Sequence, residues 1–92
     1  MDKKELISAV AEHQGIPKLK ASPLVESVFA NLEAALVAGE DFCIQGFGTF
    51  SVRRRAAHEG RNPATGEVIR VPETSRVVFR PSRRLNRRVA AS

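Results

Sequence analysis

Tryptophan and tyrosine are absent from this 92-residue sequence, and phenylalanine occurs five times. Proteins that grip unpaired nucleic acid stack its bases on aromatic rings, so such a platform is not expected and the Phe residues read as core anchors. Cysteine occurs once, at Cys43. That excludes an internal disulfide and points to a reducing compartment. Cys43 lies between Phe42 and Ile44 with no base nearby in sequence, so it reads as a buried small apolar residue and not as a nucleophile. His13 reads as a helix-surface residue, and with His58 distant no metal-ligand spacing exists. Glu40 and Asp41, beside Gly39, read as solvated turn residues. A phosphate loop, a metal cluster and paired carboxylates on one face are all missing, so an enzyme is not expected, nor a cofactor, a metal or a small-molecule substrate. No apolar run approaches a membrane span and no export signal is visible, which makes the cytoplasm the expected location.

Arginine is missing from the first half and lysine from the second. Residues 1–52 hold four Lys against seven acids, and residues 53–92 hold eleven Arg against three acids. The net charge of +5 is thus the sum of −3 and +8. A charge run is ordinarily a solvated face. Eleven arginines in forty residues are a different matter. The planar, weakly hydrated guanidinium matches phosphate in a bidentate fork, so a polyanion is the expected partner.

The chain is one domain by length. Asp2-Lys3-Lys4-Glu5 has the form of a capping box, with Asp2 as N-cap and Glu5 reaching back to the Asp2 amide. Leu6, Ile7 and Val10 follow at helical spacing, and Gly15 ends the helix. Pro23 fits the first position of a second helix behind a Ser22 N-cap, which leaves residues 16–21 as a connector. The alternative is an earlier start with a kink at Pro23. This helix runs to about Ala38, with Gly39 as terminator, and its apolar face is Leu24, Val25, Val28, Phe29, Leu32, Ala35 and Leu36. Residues 41–45 read as a short strand. The Gly46-Phe47-Gly48 bend brings Phe47 and Phe50, of opposite parity, back to one core. Ser82 caps a last helix from Arg83 to about Ala90, with Leu85 and Val89 on its inner face.

Between these lies Gly60-Arg61-Asn62-Pro63-Ala64-Thr65-Gly66-Glu67, a tight-turn signal in which Pro63 fixes φ and Gly66 takes φ > 0. Its flanks, Phe50 to Glu59 and Val68 to Arg80, predict a long two-stranded ribbon turning at residues 61–66. An unsupported ribbon is marginal in water, so a basic one awaits an anionic surface. The class is α+β, with two helices, a three-stranded antiparallel sheet and a short C-terminal helix. The helical stripes are wider than so small a sheet can cover, and a symmetric dimer resolves this.

Gly46-Phe47-Gly48-Thr49-Phe50, Arg55, the Gly60-to-Glu67 segment and Phe79-Arg80-Pro81 together resemble the HU and integration host factor family of bacterial histone-like DNA-bending proteins. The resemblance runs from Asp2 to Leu85. It implies an intertwined dimer: residues 1–39 as a helical dimerisation base, 41–81 as a sheet with a ribbon arm over about 53–76, and 82–90 as a C-terminal helix. The expected dimer core is Leu6, Val28, Phe29, Leu32, Leu36, Phe47, Phe50 and Phe79. The family is itself a recognised example of minor-groove architectural binding, in which an apolar wedge enters a base step. Pro63 matches that wedge, Arg61 and Asn62 the tip residues in the groove, and Arg53 and Arg55 the arm contacts. Lys3, Arg80, Arg83 and Arg84 match backbone contacts, and His58, Arg70 and Arg76 complete the expected DNA-binding set. The sequence departs from the family pattern at His58-Glu59, often more basic, at Pro17 and Pro23, and at Ser82 in place of glycine.

The resemblance therefore implies a largely sequence-tolerant binder of double-stranded DNA that bends and compacts it. Its partner is a second copy of itself, with a paralogous heterodimer as the alternative, and its place is the bacterial nucleoid. The alternatives in function are a basic-hairpin protein for structured RNA and a site-specific subunit like integration host factor.

Overall fold

The computed structural model describes all of residues 1–92. Helix α1 spans Lys3–Gln14, and the Asp2 carboxylate accepts from the Glu5 amide at 2.8 Å. Only this half of the expected capping box closes. Gly15, in the left-handed region at φ 65°, ends the helix, and the Ile16 amide donates back to the Ala11 carbonyl at 3.0 Å.

Helix α2 spans Lys18–Val37 and starts four residues ahead of the expected Ser22 cap. Pro17 is the N-cap, and its carbonyl accepts from the amides of Lys20 and Ala21. Pro23 therefore lies inside the helix, where it has no amide to offer the Leu19 carbonyl. Packing explains the early start. Ala21 is completely buried and, with Ala11 and Val25, forms the contact between α1 and α2; a loose connector would leave it in water.

Strands β1 (Phe42–Ile44), β2 (Gly48–Arg55) and β5 (Thr74–Pro81) form an antiparallel sheet in the order β1-β2-β5. Strands β3 (His58–Arg61) and β4 (Val68–Val71) pair separately as the arm, so five strands replace the three expected. The split has a local cause: Pro72 cannot donate to a ladder, and Ala56 and Ala57 lie across from Glu73 and Pro72. The register nevertheless survives. Gly48 pairs with Pro81, Arg55 with Thr74, His58 with Val71 and Arg61 with Val68, each pair of numbers summing to 129. The two sheets are one ribbon with two rungs missing.

The Gly46 turn, at φ 77°, brings the aromatic rings together as expected. Phe79 lies 5.5 Å from Phe47 and 4.7 Å from Phe50, centroid to centroid. Helix α3 (Arg83–Ala91) is capped by Ser82, whose hydroxyl accepts from the Leu85 amide and donates to the Gly46 carbonyl at 2.8 Å. One side chain thus ties α3 to the glycine turn.

Little of this is buried. The only buried apolar residues are Ala11, Ala21 and Val25, and no large side chain is fully enclosed. Val28, Phe29, Phe47 and Phe79, expected in the core, are 60, 42, 43 and 38% exposed in the single chain. Leu6, Leu32, Leu36 and Phe50 are half-buried. Cys43 is exposed, against expectation, because β1 is a three-residue edge strand that covers it on neither side. On α3 only Leu85 turns inward, and Val89 stays exposed. The accessible surface is 7846 Å², against about 5,300 Å² for a compact monomer of this mass. The radius of gyration is 19.4 Å, against about 12 Å for a compact chain of this length. No helix is long and apolar enough to cross a membrane.

Candidate nucleic-acid interface

Side chains alternate across a strand, so the register assigns each ribbon residue to a face. One face carries Phe50, Val52, Arg54, Ser75, Val77 and Phe79. It looks towards α2, and Phe29, Leu32 and Leu36 join Val52 and Val77 around an open apolar cleft of about 560 Å³. The other face carries Thr49, Ser51, Arg53, Arg55, Thr74, Arg76, Val78 and Arg80, and continues on the arm with Glu59, Arg61, Val68 and Arg70. Six arginines of the expected set, Arg53, Arg55, Arg61, Arg70, Arg76 and Arg80, therefore share this face.

None of the six has an acidic partner. The chain holds two ion pairs, Lys3 with Glu26 at 2.9 Å and Arg54 with Glu73 at 3.9 Å. Arg54, the arginine that the parity sends to the opposite face, is the one that is paired. Where Arg53, Arg55, Thr74 and Arg76 converge with Arg54, they line a cleft with no apolar residue in it. Charges of one sign crowded this closely, all exposed and all but Arg54 unpaired, make a surface built for an anion.

The tip is shaped by hydrogen bonds that leave Pro63 bare. The Asn62 amide donates to the Glu67 carbonyl at 2.9 Å, and the Gly66 amide returns to the Asn62 carbonyl at 2.7 Å. The Asn62 side-chain oxygen accepts from the Ala64 amide at 2.9 Å, and the Thr65 hydroxyl accepts from the Glu67 amide. Asn62 is thus half-buried and engaged in holding the turn. Gly66, at φ 72°, closes it. Pro63 stands exposed at the far end, a rigid apolar ring with no amide hydrogen.

The remaining expected residues lie apart from the ribbon face. His58 belongs to the opposite face, half-buried, with Nδ1 3.2 Å from the Ala56 carbonyl. Lys3 is on α1 and engaged by Glu26. Arg83 and Arg84 open α3, where the Arg84 guanidinium lies over the turn: a methyl group on Gly46 would stand 3.2 Å from it. Arg87 and Arg88 extend the same helix, exposed and unpaired, although the family motif did not point to them. Their signal was the i, i+4 repeat of Arg83 and Arg87, and of Arg84 and Arg88, on a helix with no acid.

Comparison with known proteins agrees with this geometry. The profile of the bacterial DNA-binding protein family matches residues 1–90. The chain belongs to the HU family of bacterial DNA-binding proteins. It is 50% identical over 91 residues, 99% of both chains, to the SPbeta prophage-derived DNA-binding protein HU 2 of Bacillus subtilis. It is 45% identical over 85 residues to DNA-binding protein HU of Geobacillus stearothermophilus, covering 92% of this chain and 94% of that one. Among solved structures, an Anabaena HU–DNA cocrystal structure superposes with a TM-score of 0.81 at 34% identity, over the whole of both chains. An HU mutant from Thermotoga maritima gives a TM-score of 0.71 at 28% identity, over 97% of this chain and 99% of that one.

Proposed function

We propose that this protein is an architectural binder of double-stranded DNA that works as a dimer in the bacterial nucleoid, laying its arms in the minor groove. The observation that carries this reading is the shared ribbon face of six unpaired arginines, ending in an exposed proline. Guanidinium groups spread along a ribbon neutralise phosphates and release counterions, a force that is indifferent to base sequence. The relative seen with DNA, the Anabaena HU, matches along the full chain and supports the same partner. Membership in a family of DNA-binding proteins also speaks against a catalytic role.

The sparse core supports the dimer. A chain with three buried apolar residues cannot hold its fold alone. A second copy laid on the cleft between α2 and the sheet would cover Phe29, Leu32, Leu36 and Val77, and would bring the Phe47, Phe50 and Phe79 cluster out of water. The surface in excess of a compact monomer, together with this apolar cleft, favours that arrangement.

On DNA, Pro63 acts as a wedge. Partial unstacking costs roughly a few kcal/mol per step in minor-groove architectural proteins, the class in which HU is a recognised example, and contact of the bent duplex with more protein offsets it. Arg53, Arg55 and Arg76 hold the arm's root on phosphates, Arg61 serves the tip, and Arg80, Arg83, Arg84 and Lys3 hold the flanks. Lys3 must first leave Glu26.

The test is the salt dependence of binding to duplex DNA, with duplex RNA of equal length in competition. If a dimer neutralises about 6–10 phosphates, log K against log salt should slope at roughly −5 to −9. A flat salt response, or clear preference for the RNA duplex, would overturn the reading.

A further inference from the structure

One acid interrupts the basic face. From the body outward, that face presents the pairs Arg53 with Arg76 and Arg55 with Thr74, then Ala57 and Pro72 at a missing rung, then the pairs Glu59 with Arg70 and Arg61 with Val68. The formal charges run +2, +1, 0, 0, +1. Between the root and the tip lies a neutral stretch, and Glu59 creates half of it. Glu59 is exposed, takes no part in either ion pair, and stands directly across from Arg70.

A carboxylate on this face gains nothing from phosphates, and it can only accept hydrogen bonds. The minor groove decides what it can accept from. A·T and T·A pairs offer acceptors alone on that side, whereas a G·C pair adds the guanine N2 amino donor. Runs of A·T also narrow the groove and deepen its negative potential, which repels a carboxylate as surely as it attracts a guanidinium. Both effects have one sign.

We propose that Glu59 makes the arm discriminate minor-groove composition, favouring a guanine-bearing segment beneath the middle of the arm over a run of A·T. The inference rests on the minor-groove reading above and adds a base preference to a binder otherwise held by phosphates. Arg70, across the rung, screens Glu59 from neighbouring phosphates, so the carboxylate is tolerated in the groove. Arg61 lies two residues further out, about 7 Å at strand rise. As a donor it is satisfied by the acceptors that every base pair offers, so the discrimination belongs to Glu59 and not to the tip.

The test uses the intact protein and three duplexes of equal length: all A·T, G·C-rich, and the G·C-rich sequence with inosine for guanine, which lacks only the N2 amino group. The parent should bind the G·C-rich duplex roughly fivefold to tenfold more tightly than either of the others. In Glu59→Gln, which can donate as well as accept, and in Glu59→Ala, the three affinities should converge, chiefly because A·T binding improves. The side chain is exposed and unpaired, so neither variant disturbs the fold. If the parent binds all three within twofold, with the steep salt slope intact, Glu59 reads nothing although the protein is still a DNA binder. If Glu59→Ala keeps the parental ratios, groove shape alone is responsible and the assignment to Glu59 fails. Absence of salt-dependent binding to every duplex would overturn the minor-groove reading itself.

Discussion

Arg53 and Arg76 face each other directly across the β2–β5 ladder, at the root of the arm. Like charges on one rung cost stability, about 0.2–1 kcal/mol, and nothing in the chain neutralises either. The arrangement is explained by a ligand that supplies the missing negative charge.

Replacing Arg76 by Thr should therefore stabilise the free protein by roughly 0.2–1 kcal/mol while weakening DNA binding. A dimer would lose two phosphate contacts, so the salt slope should shrink by about two units at 0.9 per phosphate. Chemical denaturation and a salt titration of the same variant check both signs at once.

Leu32 lines the open apolar cleft beneath the sheet and is only half-buried in the single chain. Leu32→Asp would place an unpaired carboxylate in the proposed dimer interface, at a cost of roughly several kcal/mol. Dimer and helical signal should be lost together in sedimentation and circular dichroism. A folded, stable monomer would remove the basis for the dimer.

Pro63→Ala leaves every arginine and the tip hydrogen bonds of Asn62 and Gly66 in place. Bending, read by energy transfer between the ends of a labelled duplex, should drop markedly, and the salt slope should hardly move. Bending equal to the parent's would reduce Pro63 to a turn former.

Two glycines of the ribbon should respond in opposite ways. A methyl group on Gly48 would lie 2.6 Å from the Phe79 ring and 2.7 Å from the Arg80 carbonyl, so Gly48→Ala should cost about 1–3 kcal/mol. On Gly60 it would meet Val71 at 3.5 Å and Ile69 at 3.8 Å, ordinary contact. Gly60→Ala should therefore be neutral or slightly stabilising in thermal unfolding.

The parts legible in the sequence were those fixed by local chemistry. Asp2, Gly15 and Ser82 announce helix ends, and the Asn62-to-Gly66 segment announces the tip. The convergence of Phe47 and Phe50, both against Phe79, follows from parity and two glycines. Ser22-Pro23 misled because a good local cap competed with burial of Ala21, and tertiary packing won. Cys43 misled because apolar neighbours do not reveal an edge strand. The division of arginines between two faces needed the register. Once Arg53 is known to pair with Arg76, Arg54 falls on the other side and Glu59 joins the basic one.

The two missing rungs at Ala56-Ala57 and Pro72-Glu73 have a mechanical consequence. Four paired positions hold the arm, and eight hold β2 to β5. With no ladder bond bridging them, fraying at the tip would not propagate through pairing to the phenylalanine cluster. On the proposed reading, the arm would act as a finger on a knuckle, opening to pass a duplex while the palm keeps its shape. Because the numbering still sums to 129 beyond the joint, a finger that closed again in this register would return its arginines to the same side as those of the palm.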